Sequence, residues 1–127
     1  MRTEGIIPLT PTADQTGKEG YFVENSSGSA AICNAATDIP LGVITEGQPT
    51  TGKSSIALPC VGRTVKVKVT DTSPGTITLG TYLTLKSDGT VQADAGSGSR
   101  VRVARAIEAG AAGELIEAYL LEPTALS

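Results

Sequence analysis

Residues 47–55 read GQPTTGKSS and place Gly47, Gly52, Lys53 and Ser54 at the spacing G-x-x-x-x-G-K-[ST]. In that arrangement loop amides and a helix N-terminus hold nucleotide phosphates, the lysine reaches the terminal phosphates and the hydroxyl binds Mg²⁺. The chemistry needs a strand before the loop and a helix after it. PLGVITE can supply the strand. After Lys53 the chain reads SSIALPCVGRTVKVKV, where Pro59, Gly62 and an alternating valine run forbid a helix. The acid that would complete the site is also missing. VKVKVTD ends in Asp71, but Lys66 and Lys68 make that strand half exposed. The expectation is a polar surface loop, with Gly47 and Gly52 as turn residues and Lys53 in solvent.

Other chemistry is equally sparse. The chain has no His, which removes the commonest general base, the Ser-His pair and imidazole metal ligands. Glu114, Glu117 and Glu122 read as a solvated face rather than a facing pair of catalytic acids. Cys33 and Cys60 form no CxxC; two buried reduced thiols are the simpler reading and a disulfide the alternative. No catalytic residue, metal site or cofactor is expected, and the chain reads as a non-enzyme. Lys66, Lys68, Arg100 and Arg102 form either one docking patch for an acidic partner, if their strands are neighbours, or two separate wet faces.

The 127 residues carry 10 basic and 13 acidic side chains, for a formal net charge of −3, with three Tyr, one Phe and no Trp. Nucleic acid is a poor partner for a mildly acidic chain with few rings to stack on bases. No apolar run approaches the ~20 residues that cross a bilayer, and MRTEGIIPLTPT lacks the apolar stretch of a signal peptide. Fifteen Gly and seven Pro, with many Ser and Thr, indicate short elements and frequent turns.

Those elements read as eight to ten short strands. Residues 1–19 read as an extended arm, in which Pro8 and Pro11 deny IIPL regular pairing. A β domain follows over 20–127. GYFVEN and SAAIC flank a turn like a hairpin, and TYLTLK and TVQA flank SDG in the same way. In RTVKVKVT, Val65, Val67 and Val69 alternate with Lys66 and Lys68, which buries one face and wets the other. RVRVARAI alternates again. ELIEAYLLEP fits a closing strand better than a helix, with Pro123 ending it. No repeat at a fixed period is visible. The fold class is all-β: a small single-domain β-barrel or β-sandwich of short antiparallel strands, with at most one short helix.

The segments GVITEG, LGTYLTLKSDGTV and ARAIEAGAAGELIEAYLL carry a resemblance to the capsid decoration, or cement, proteins of tailed bacteriophages. The resemblance implies a β-barrel-like subunit, made in the host bacterial cytoplasm, that binds the outer surface of the assembled head. Its partner would be the major capsid protein, whose neighbouring subunits it clamps as a homo-oligomer, with a trimer favoured. It implies capsid contact through the N-terminal arm, here Ile6, Ile7 and Leu9. The alternatives are another virion part (tail-tube subunit, head–tail adaptor or head fibre domain) or a small ligand- or glycan-binding β domain.

Overall fold

A computed structural model describes residues 5–60 and 62–127. Ten strands follow in order: β1 Ile6–Leu9, β2 Phe22–Ser26, β3 Ser29–Ile32, β4 Gly42–Glu46, β5 Ser54–Ala57, β6 Val65–Lys68, β7 Tyr82–Leu85, β8 Val91–Ala93, β9 Arg100–Ala106 and β10 Leu115–Leu126. They form two antiparallel five-stranded sheets, and no helix occurs among the described residues. The valine run is β6, with Val65 and Val67 buried and Lys66 exposed, as its period of two requires.

Two local expectations are corrected. The prolines do not keep IIPL out of a sheet: β1 pairs antiparallel with β5. The Gly5 carbonyl accepts from the Leu58 amide at 2.6 Å, so the backbone of residues 5, 7 and 9 faces β5. The Pro8 nitrogen therefore points away from β5, where its missing N–H costs no ladder bond. Likewise Pro123 does not end the last strand. β10 runs on to Leu126 because Pro123 falls in a register shift between Leu120 and Thr124, where no ladder pairing is made.

The sheets share one plan. The first has the order β1-β5-β4-β2-β3, the second β6-β10-β9-β7-β8. Counting from the first strand of each, the two orders are identical. Each sheet then curls until its edges meet through one parallel bridge, Pro11 to Ala30 in the first and Val69 to Val91 in the second. The irregular hydrogen bonds repeat as well. The Gly20 amide donates to the Ile44 carbonyl at 2.8 Å, and Gly80 to Ala106 at 2.8 Å. Ile44 donates to Tyr21, and Ala106 to Thr81, both at 2.9 Å. Gly20 and Gly80 both adopt positive φ, 90° and 91°, which glycine reaches without strain. The chain is thus a tandem of two half-barrels, residues 5–58 and 63–126, although its sequence shows no fixed period.

Side chains at matching places differ in kind. In the first unit Val23, Ala30, Ile44 and Ile56 make a small core, packed by Ile7, Leu9 and Ile32. Beside it the buried Gln15 donates from Nε2 to the Ala30 carbonyl at 2.8 Å and accepts from Ser54 Oγ at 2.9 Å. The bridge from Ile77 to Gly110 puts Ile77 where Gln15 bonds Gln48, and Ile116 stands in the place of Ser54. A hydrogen-bonded polar pair in one half is an apolar pair in the other.

The larger core joins the halves. Phe22, Cys33, Val43 and Ala57, from the other face of the first sheet, pack with the inward side chains of the second, among them Val67, Leu83 and Ile116. Two backbone bonds pin this seam: Lys68 to the Gly20 carbonyl at 3.0 Å and Phe22 to the Gly89 carbonyl at 2.8 Å. Phe22 and Tyr82 hold the same place in their units, yet only Phe22 is at the seam. Phe22→Ala is expected to cost about 3–5 kcal/mol of stability, as for a buried ring, and Tyr82→Ala less than about 1 kcal/mol. Chemical denaturation of both variants checks the contrast; equal losses would remove the seam from its central position.

Candidate docking surface

The loop that matches a phosphate-binding motif is committed to the fold. The Gly47 amide donates to Glu19 Oε2 at 2.9 Å, Gln48 to Ser54 Oγ at 3.1 Å and Gly52 to the Pro49 carbonyl at 2.9 Å. These amides are turned to protein acceptors, and Ser54 opens strand β5 rather than a helix. Two details of the expected surface loop are corrected. Ser54 is buried, and Gly47 is needed for close approach: a Cβ there would lie 1.8 Å from the Gln15 carbonyl oxygen. Lys53 is exposed, with Nζ 3.4 Å from Thr10 Oγ1.

No disulfide joins Cys33 and Cys60. Cys33 is buried at the seam, and Cys60 is half-buried. Burial, aided by the charges of Glu24 and Asp38, pushes the Cys33 thiol up to about 12, which leaves it inert as a nucleophile.

Of the residues singled out for capsid contact, Ile6, Ile7 and Leu9 are half-buried in β1. Ile6 packs on the main core, and Ile7 and Leu9 on the smaller one. The four cations lie on one face of the second sheet but do not form one patch. Lys66 stands opposite Glu117 near the start of β10, and Arg102 opposite Thr124 near its end, seven residues away and thus roughly 20 Å along the strand. Each pair has its own partners. Lys66 Nζ lies 3.2 Å from Glu108 Oε1 and 3.6 Å from Glu117 Oε1. Lys68 Nζ donates to the Gly113 carbonyl at 2.6 Å. Arg100 and Arg102 both pair with Asp94.

Between those ends lies a cluster that sequence reading missed. Tyr82, Arg105 and Tyr119 are cross-strand neighbours on β7, β9 and β10, with Arg102 beside them. The guanidinium carbons of Arg102 and Arg105 lie 4.3 and 4.9 Å from the centre of the Tyr82 ring. Arg105 donates from Nε to the Gly80 carbonyl at 3.1 Å and from Nη1 to the Tyr119 hydroxyl at 3.4 Å. Among the described residues no carboxylate comes within ion-pair distance of Arg105. Tyr82 is 38 % exposed, and nearby in sequence Leu79 is 76 % exposed. Two arginines on a tyrosine ring make a flat, cationic, partly apolar surface. Such surfaces recur at protein interfaces because the guanidinium keeps donors in the ring plane for carboxylate or carbonyl acceptors. The signal in the sequence was the odd residue of RVRVARA: Arg105 breaks the alternation after a register shift puts it on the outer face.

Asp94 anchors one side of this surface. Its burial would raise the carboxyl pKa, but the Gly96 amide, the Arg100 guanidinium and the charge of Arg102 together hold it below the ordinary value of 3.8. Beside the cluster, Tyr119 and Glu122 of the β10 region line a pocket of about 620 Å³, with Pro59, Cys60 and Arg63 of the linker on its other side.

No protein-family model and no curated protein sequence matches this chain. A solved structure does: the head fibre gp8.5 N base of bacteriophage phi29, with a TM-score of 0.61 and 15 % sequence identity. The match covers 96 % of this chain and 97 % of that one. At that identity the likeness establishes a shared fold.

Asp94→Asn is expected to cost about 1–3 kcal/mol near neutral pH, because two arginines lose the charged partner they share. A carboxyl lowered by folding stabilises above its unfolded pKa, and that stabilisation is lost as pH falls through the folded value. The difference between wild type and variant should therefore be flat above about pH 5 and close below the ordinary 3.8. Urea denaturation across pH checks it; a gap that does not narrow as pH falls below 3.8 would contradict the pairing.

Proposed function

We propose that this chain is a structural protein of a tailed-phage head. In this reading it docks on the outer surface of the assembled shell as a decoration protein and clamps neighbouring major capsid subunits. The observation that supports a structural role in a phage head is the end-to-end match to a head fibre base, which spans nearly all of both chains. The decoration-protein resemblance of GVITEG, LGTYLTLKSDGTV and ARAIEAGAAGELIEAYLL supports the clamp reading from the sequence. A clamp requires no reaction. It stabilises the mature shell by binding that state more tightly than the separated subunits. A homo-oligomer, with a trimer as the favoured form, gains further by engaging several capsid subunits at once.

The arm residues Ile6, Ile7 and Leu9 take a different part in this proposal from a flexible arm. They fix β1 in the sheet, and the outer edge of β1 is left as the place where a capsid strand could pair. Pro8 limits any such pairing to its neighbours. A second reading, the base of a head fibre, is favoured by what the matching structure is. A base attaches without needing to hold the shell together.

One experiment tests the proposal and separates the two readings. Virions are purified with and without this chain, its copy number is measured against the major capsid protein, and the temperature of DNA release is recorded. A decoration protein is present across the shell in a simple ratio, and its loss lowers the release temperature. Attachment without any shift in release temperature selects the fibre base. Absence from virions overturns both.

A further inference from the structure

The internal repeat matches the two outer faces residue by residue. Phe22 corresponds to Tyr82, since each follows its glycine by two residues and pairs with the equivalent strand, Phe22 with Val43 and Tyr82 with Arg105. Val43 therefore corresponds to Arg105. Ala57, opposite Val43, corresponds to Tyr119, opposite Arg105. Cys33 donates to the Phe22 carbonyl as Asp94 does to that of Tyr82, at 3.0 and 2.9 Å, so these also correspond. The face Phe22-Val43-Ala57-Cys33 is buried against the second unit. Among the described residues no other unit packs on the face Tyr82-Arg105-Tyr119-Asp94.

The seat that receives the first face is also duplicated. In the second unit it includes Lys68 and the Gly89 turn. The matching places in the first unit are Thr10 and Gly28. Gly28 and Gly89 share a positive φ, 89° and 86°. The first unit's seat is incompletely covered. Leu58 and Ile7 are half-buried where their counterparts Leu120 and Val65 are buried. Charge completes the match. Residues 5–58 carry Asp14, Glu19, Glu24, Asp38 and Glu46 against two lysines, whereas residues 63–126 carry equal numbers of each sign.

We propose that the Tyr82-Arg105-Tyr119 face, with Arg102, docks a second copy of this chain through the first unit of that copy, repeating between molecules the step that joins the two units within one. The copied step uses tyrosine and arginine where the internal one uses phenylalanine and valine. That chemistry suits a surface that must stay soluble before assembly and meet an acidic partner. The contact is head-to-tail, so it closes into a ring or continues as a filament. It stands apart from the virion reading and holds or fails in purified protein.

The test places benzoylphenylalanine at position 82 of the full chain, irradiates it, and maps cross-links by mass spectrometry, alongside native mass spectra of wild type and of Arg105→Glu. The expected product joins position 82 of one copy to the region of Thr10 or Gly28 of another, and Arg105→Glu weakens self-association by about tenfold or more. Circular dichroism confirms that each variant is folded. Cross-links from position 82 to β7, β9 or β10 of another copy would replace this contact by a face-to-face one and overturn the proposal. So would a wild-type chain that stays monomeric at about 1 mM, including the case in which position 82 cross-links instead to a capsid protein.

Discussion

The packing of Phe22, Val43 and Ala57 into the open side of the second half-barrel is the contact on which the rest of the molecule depends. A five-stranded sheet whose edges meet at a single bridge leaves apolar side chains uncovered at its mouth. With one Phe and no Trp in the chain, neither half has bulky side chains to fill that mouth from within. The second half solves the problem by taking the outer face of the first as its lid. Small residues make this possible. At Gly42 a Cβ would sit 2.2 Å from the Ala57 carbonyl oxygen, so only glycine lets β4 and β5 approach this closely under the seam.

Seen from that seam, the surface chemistry of the second half follows a single constraint. The same four backbone positions recur, but there they face outward. Phenylalanine, valine, alanine and cysteine become tyrosine, arginine, tyrosine and aspartate, and the backbone hydrogen bonds around them scarcely change. The fold has built one face geometry twice and coloured the two copies differently. Burial within a chain permits apolar side chains throughout. An exposed face needs groups that water also tolerates, and stacked arginine and tyrosine meet that need.

Much of this was legible in the sequence, for physical reasons that can be named. The period-two run at Val65–Val69 and the turn at SDG announce strands and a hairpin. Pro59 and the run after it rule out the helix that a nucleotide loop requires, although Ser54 proved to be a buried partner of Gln15 rather than part of a wet loop. The repeat was hidden because matching positions rarely share a residue. Gly20 with Gly80 and Thr12 with Thr70 agree, but Gln15 is matched by Ile77 and Val43 by Arg105. What the halves share is backbone hydrogen bonding, and that leaves little trace in side-chain identity. The docking surface was hidden for a related reason. Arg105 reaches the outer face only through a register shift in β9, which alternation cannot reveal.

The central claim is that the seam makes two half-barrels one cooperative body. Residue-resolved hydrogen exchange as a function of denaturant tests this most directly, followed at Val23 and Ile44 in the first half and at Val103 and Ile116 in the second. With the seam intact, these amides exchange through one shared unfolding, with the same free energy and the same denaturant dependence. Exchange of the first half through a separate, lower-energy opening while the second stays protected would show that the second half does not need its lid, and would contradict it.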